Sequence, residues 1–145
     1  MIAGSKALKT LSLKRGSVFK MELGPKDGVT PKNKEDVSRT KYFIVMGVDN
    51  GRVMVCSVLI NSQINPKLFN IIGEYQHLIN SSDYKFLNGK DRYIDCTKLI
   101  ELQYNRVLDN AEYIGIVSED LIKEIIDLLH KSPFIKPRVI REYNL

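Results

Sequence analysis

The stretch that decides the fold is KYFIVMGVDNGRVMVCSVLI, residues 41–60. Residues 41–48 are almost all β-branched, aromatic or apolar, and residues 53–60 repeat that composition. Such runs are typical of central strands in a sheet. The turn residues Asp49, Asn50 and Gly51 lie between the two runs, and Asn-Gly is a strong signal for a tight turn because both residues tolerate positive φ. The sequence therefore predicts a β-hairpin at the centre of the core.

Shorter strands are predicted on both sides of this hairpin. Ser17–Leu23 alternates polar and apolar residues with the period of two that a half-buried strand requires. Further strands are predicted over residues 75–79, 92–96, 99–102 and 112–117. Five to seven short strands at close spacing are typical of a small, strongly bent β-barrel.

Two helices are predicted. Asn65 and Pro66 form a cap-and-first-position pair for a short helix through about Ile71. Ser118 is a good N-cap for a longer helix that reaches Lys131, with acids in its first turn and bases in its last. The wide apolar stripe of this second helix indicates packing on the sheet. The predicted fold is thus mainly β with helices, an SH3-like bent barrel carrying a C-terminal helix.

The chain has 145 residues, the size of one domain, and its net charge of +5 lies at the two ends. Residues 1–41 hold ten bases and four acids, and residues 132–145 hold three bases and one acid. The middle of the chain, residues 42–131, holds nine bases and twelve acids. We predict a basic N-terminal arm over 1–14, either frayed or one short helix, a barrel domain over 15–131 and a tail over 132–145. Three alternatives are open for this tail: it adds an edge strand to the sheet, it binds a partner, or it folds back onto its own domain. Basic ends suit a polyanionic partner such as nucleic acid.

Several classes of protein are excluded by pattern. The sequence has no run of about 18 apolar residues, so no membrane span is predicted. Its first residues lack the apolar stretch and cleavage site of a secretory signal. Cys56 and Cys96 lie 40 residues apart without zinc-site spacing, so we expect two reduced, partly buried thiols in a cytoplasmic protein. Phosphate-cradling glycine motifs are missing as well. No metal and no cofactor are predicted.

The order of these elements resembles the PemK/MazF-like toxins, the small-barrel endoribonucleases of bacterial toxin–antitoxin pairs. The resemblance begins at Arg15-Gly16 before the first strand and continues through a long polar loop over 24–40. The third strand closes in Ile60-Asn61-Ser62-Gln63, and Ile114-Gly115 precedes the final helix. The resemblance covers residues 15–131, which is most of the chain.

The resemblance implies cleavage of single-stranded RNA without a metal, by attack of a ribose 2′-hydroxyl on the adjacent phosphorus. The family uses an arginine that opens strand two, which falls on Arg39 or on Lys41, and a threonine that ends strand three, which falls on Asn61 beside Ser62. Lysine lacks the planar fork that suits phosphate, and asparagine can donate a hydrogen bond but cannot shuttle a proton as an acid or base. RNA contacts are predicted at Lys26, Lys32, Lys34, Gln63 and His77. The implied assembly is a homodimer neutralised by an antitoxin protein.

Two alternatives come from other functional classes. The asparagine at position 61 is compatible with a catalytically degenerate member of this fold that binds nucleic acid or a protein without cleaving RNA. A third possibility is a toxin of the same fold that inhibits a protein target such as a topoisomerase. Cleavage, binding without cleavage, and growth arrest with intact RNA distinguish the three hypotheses.

Overall fold

The structure, a computed structural model, describes residues 9–30 and 38–145. Six strands form one antiparallel sheet that curls into a half-barrel. In chain order they are β1 (Ser17–Leu23), β2 (Arg39–Val48), β3 (Met54–Asn61), β4 (Gln76–Ile79), β5 (Arg92–Gln103) and β6 (Glu112–Ile116). In the sheet they lie in the order β4-β5-β3-β2-β1-β6. The predicted mainly β fold with a bent sheet and packed helices is confirmed.

In the described ranges, the helices with both ends defined are α1 (Phe69–Ile72), α2 (Tyr104–Asn110), α3 (Glu119–Lys131) and α4 (Pro137–Glu142). Residues 9–12 are also helical, and three 3-10 turns lie at Pro25–Asp27, Gly73–Tyr75 and Lys85–Leu87. The Ser118 hydroxyl accepts a hydrogen bond from the Leu121 amide, as the predicted N-cap of α3 requires. No helix in the described part of the chain is long and apolar enough to cross a membrane.

Both faces of the sheet are buried. Alternate residues of β2 point to opposite sides, so Ile44 packs with α3 on one face while Phe43 packs with α2 on the other. The α3 face also holds Val18, Met46, Val58, Ile60, Ile125 and Leu129, and the α2 face holds Phe19, Leu23, Val45, Leu102 and Val107. Helix α2 was not predicted, because its seven residues carry no N-cap signal and only a short apolar repeat.

The hairpin joins β2 and β3 as predicted, but its turn differs. The loop spans residues 49–53, and positive φ falls on Arg52, at 54°, instead of on Asn50 and Gly51. The Asp49 carboxylate accepts the amides of Val53 and Met54 at 2.6 and 3.1 Å. These side-chain bonds close a longer loop than the two-residue turn that Asn-Gly predicts.

The two strands predicted at 92–96 and 99–102 are one strand, β5, with a wide bulge. Asp95 pairs with Leu59 and Ile100 with Ser57, so residues 96–99 stand opposite the single residue Val58. The Asp95 carboxylate accepts the amide and the hydroxyl of Thr97 at 2.9 and 2.5 Å, which holds the bulge. An Asp-x-Thr break in an apolar run looks like a strand end in sequence, although here the strand bends and continues.

The helix predicted to begin at Pro66 begins three residues later. The Asn65 side chain accepts the Lys67 amide at 3.0 Å and closes a turn, and the chain becomes helical only at Phe69. Asn65 and Pro66 therefore belong to the loop between β3 and α1, and this loop borders the site described below.

The tail folds back on its own domain. Its buried residue Tyr143 donates its hydroxyl to the Glu101 carboxylate at 2.7 Å. The Arg15 guanidinium donates to the carbonyl oxygens of Tyr143 at 2.9 Å and Met46 at 2.6 Å. Arg15, which opens the family-like pattern in sequence, therefore ties the tail to β2. The tail forms α4 and adds no strand to the sheet.

Candidate functional site

The four predicted catalytic residues lie in one cleft of about 650 Å³. Because β2 and β3 are antiparallel, with Tyr42 opposite Ile60, the beginning of β2 meets the end of β3. Arg39 and Lys41 come from the first of these ends and Asn61 from the second. The cleft is lined by these residues together with Ser62, Gln63, Ile64, Asn65, Pro66, Ile72, Gln76 and Asp95.

Lys41 is the buried cation of the cleft, with only 7% of its surface exposed. It lies on the same face of β2 as Phe43, and its Nζ donates a hydrogen bond to Asn61 Oδ1. Burial lowers the pKa of Lys41 to about 8, and the positive charges of Arg39 and Arg92 act in the same direction. The negative charge of Asp95 opposes this shift. A lysine in this range exchanges its proton near neutral pH.

Arg39 lies at the rim of the cleft and is half-buried. Its guanidinium reaches the Thr30 carbonyl oxygen only at 3.5 Å, a long contact. A guanidinium presents five N–H donors in a fork that matches phosphate oxygens. The two candidates for the family arginine therefore differ in chemistry, because a guanidinium suits phosphate binding and a lysine with a lowered pKa suits proton transfer.

Asp95 and Gln76 are site residues that sequence reasoning missed. They lie opposite each other in β5 and β4, and Gln76 Nε2 donates to Asp95 Oδ1 at 2.9 Å. Since the same carboxylate also holds Thr97, Asp95 anchors the floor of the cleft and fixes the amide of Gln76 there. Their separation of 19 residues carries no local signal, and only the β4–β5 register brings them together.

The predicted RNA contacts fall into three groups, which lie in the cleft, elsewhere on the domain, or outside the described residues. Lys26 borders a separate cavity of about 410 Å³, together with Lys98 and Lys136. His77 Nε2 lies 2.8 Å from Glu124 Oε2 of α3, and His77 does not line the cleft. Gln63 does line the cleft. Lys32 and Lys34 lie within residues 31–37, outside the described part of the chain.

Cys56 and Cys96 are buried free thiols, as expected. Burial raises the pKa of each to about 12, so neither forms a thiolate near neutral pH. Among residues 9–30 and 38–145, no three His, Cys, Asp or Glu side chains are grouped so that they could hold a metal ion.

Compared with models of known protein families and with curated proteins, the chain matches none. The PemK/MazF-like resemblance therefore stays a prediction that rests on the order of motifs.

Proposed function

We propose that this protein is a metal-independent endoribonuclease that cleaves single-stranded RNA through attack of a ribose 2′-hydroxyl on the adjacent phosphorus. The observation that carries the proposal is the buried lysine of the cleft, whose pKa is lowered to about 8 beside Arg39 and Asn61. Strongly shifted lysines in clefts are candidates for acid–base catalysis.

Each group in the cleft has a distinct task in this reaction. Neutral Lys41 accepts the proton of the attacking 2′-hydroxyl, and the 2′-oxygen then bonds to phosphorus. The Arg39 guanidinium stabilises the negative charge that develops on the phosphoryl oxygens. Because Asn61 Oδ1 accepts from Lys41, its amide nitrogen is turned to donate to the phosphate. The 5′-oxygen leaves and takes a proton from water in the open cleft, and a 2′,3′-cyclic phosphate remains.

The resemblance adds partners to this proposal. A toxin-like enzyme of this kind acts as a homodimer on messenger RNA in the cytoplasm, and an antitoxin protein neutralises it by occupying the RNA-binding cleft. The basic composition of residues 1–41 supports a polyanionic substrate, because an excess of positive charge attracts nucleic acid.

The direct test incubates the purified protein with single-stranded RNA in EDTA and analyses the ends. We expect breaks that leave cyclic phosphate, with a rate that rises as the pH approaches 8. Lys41→Met should lower the rate at least about 100-fold, the usual contribution of a general base. Lys41→Arg should do the same, because arginine keeps the charge but does not release its proton. The matched control is Lys123→Met, an exposed lysine of α3 on the opposite face.

Intact RNA after incubation with folded wild-type protein would refute the proposal. Salt-sensitive RNA binding in that case would select the non-cleaving alternative. Expression in a bacterium, followed by growth measurement and mapping of RNA 5′ ends, separates the toxin hypotheses. Growth arrest without RNA breaks would select inhibition of a protein target.

A further inference from the structure

A second cavity, of about 530 Å³, adjoins the cleft. Its lining consists of Gln63, Ile64, Pro66, Phe69, Asn70 and Tyr93. Three of these, Gln63, Ile64 and Pro66, also line the cleft, so the two spaces share a wall. Tyr93 lies directly opposite Asn61 in the β3–β5 register, which places an aromatic residue next to the cleft.

Phe69 is an aromatic residue of the cavity lining, and 57% of it is exposed. The Phe69 ring packs close to Gly73, since a Cβ on that glycine would lie only 3.2 Å from the ring. The neighbours Leu68 and Ile71 are also exposed, at 42% and 58%. A large apolar cluster held in solvent on a one-turn helix indicates a contact surface.

Among the lining residues, Gln63 and Asn70 carry carboxamides and Tyr93 carries a hydroxyl. A carboxamide both donates and accepts hydrogen bonds, which is what the edge of a nucleobase requires. Flat apolar faces, donor and acceptor edges and an adjacent anion occur together in a nucleotide. The cavity offers an aromatic face and amides, and the adjoining cleft offers the cations Arg39 and Lys41.

We infer that this cavity is a nucleobase subsite. It holds one unstacked base of a single-stranded RNA whose phosphate lies in the cleft, with Phe69 stacking on the base and with Gln63 and Asn70 reading its edge. The inference rests on the proposed function, because the phosphate in the cleft is that of the substrate.

The test measures binding separately from chemistry. The probe is a short 2′-O-methyl RNA that carries 2-aminopurine, which lacks the attacking hydroxyl and changes fluorescence when its base stacks. We expect the wild-type protein to bind this probe and quench its fluorescence. Phe69→Ala should weaken binding about tenfold and abolish the quenching, as loss of one aromatic stacking platform does. Phe69→Tyr should retain both.

The matched control is Phe134→Ala, since Phe134 is similarly exposed, at 46%. Phe134 contacts Tyr75 and lines the separate cavity of about 410 Å³ beside Lys26. Circular dichroism checks that each variant is folded. Gln63→Ala and Asn70→Ala should change which base is preferred in the probe, with little loss of general affinity.

The outcomes distinguish the subsite from the proposed function. Binding that depends on Phe69 without RNA cleavage would keep the subsite and refute the nuclease. Cleavage with equal binding by Phe69→Ala and Phe134→Ala would keep the nuclease and overturn the subsite. No quenching by the wild-type protein, or a change only in its self-association when Phe69 is replaced, would also overturn the subsite.

Discussion

Lys41 occupies a position that is unfavourable for a charged side chain. It is buried on the α2 face of the sheet, near the positive charges of Arg39 and Arg92, and its ammonium hydrogen-bonds to the amide of Asn61. A site that lowers the pKa of a lysine destabilises the protonated folded protein relative to the unfolded chain. That cost is consistent with a group retained for function.

The lowered pKa of Lys41 predicts a specific dependence of stability on pH. Below pH 8 the residue is protonated in both states, and the cost is present in full. Between about 8 and the ordinary value of 10.5, the folded protein has released this proton while the unfolded chain retains it, so stability rises with pH. Across this range the wild-type protein should gain roughly 2–3 kcal/mol relative to Lys41→Met.

Urea denaturation between pH 7 and pH 10.5 measures this difference. Comparison with Lys41→Met cancels the titration of all other groups, and Lys123→Met should follow the wild-type curve. Parallel curves for wild type and Lys41→Met would contradict the lowered pKa, and with it the role of Lys41 as a proton acceptor.

At the scale of elements, strand β2 and the C-terminal tail pack closely against each other. Gly47 is buried in β2, and a Cβ there would lie 3.0 Å from Tyr143 Cβ and 3.3 Å from its carbonyl oxygen. The tail is held by Arg15 and Glu101 at the same place. If the tail moved away from Gly47, it would lose those hydrogen bonds.

Gly47→Ala should therefore destabilise the protein by about 1–3 kcal/mol, the usual cost of overpacking a buried contact. Gly51→Ala is the matched control, because its nearest neighbour, Val53 Cγ2, lies at an ordinary contact distance of 3.5 Å. The control should change stability by less than about 0.5 kcal/mol. Equal melting temperatures for the two variants would show that the tail adapts to the added methyl group.

For the whole molecule, the uneven charge predicts salt-dependent binding of RNA. Each phosphate that a cation neutralises contributes about −0.7 to the slope of log K against log salt for a single strand. Arg39→Ala should weaken binding and reduce the magnitude of this slope by about 0.7, whereas Lys123→Ala should change neither. An unaltered slope for Arg39→Ala would remove Arg39 from the RNA contacts.

The same measurement of RNA binding against salt concentration tests Lys26, which borders the separate cavity of about 410 Å³. A reduced slope for Lys26→Ala would mean that the RNA extends beyond the cleft to the turn at Pro25–Asp27. An unchanged slope would remove Lys26 from the predicted RNA contacts.

The sequence predicted the elements whose signals are short-range. The β2–β3 hairpin, β1 and α3 follow from residue periodicity, turn residues and the Ser118 cap, which act over a few positions. The hairpin alone also brings Arg39 and Lys41 close to Asn61, because an antiparallel register sets which ends meet. The sequence reasoning failed at β5, where Asp95 and Thr97 form a bulge that resembles a strand end.

What the sequence by itself determined is thus the strand pattern of the core, helix α3 and three neighbouring residues of the cleft. Only the tertiary structure decided that Lys41 is buried, that Asp95 and Gln76 form the floor of its cleft, and that Phe69 and Tyr93 line an adjoining cavity. The physical reason is that propensity and turn chemistry are local, whereas desolvation, charge–charge interactions and cavities depend on residues that the fold brings together from distant parts of the chain.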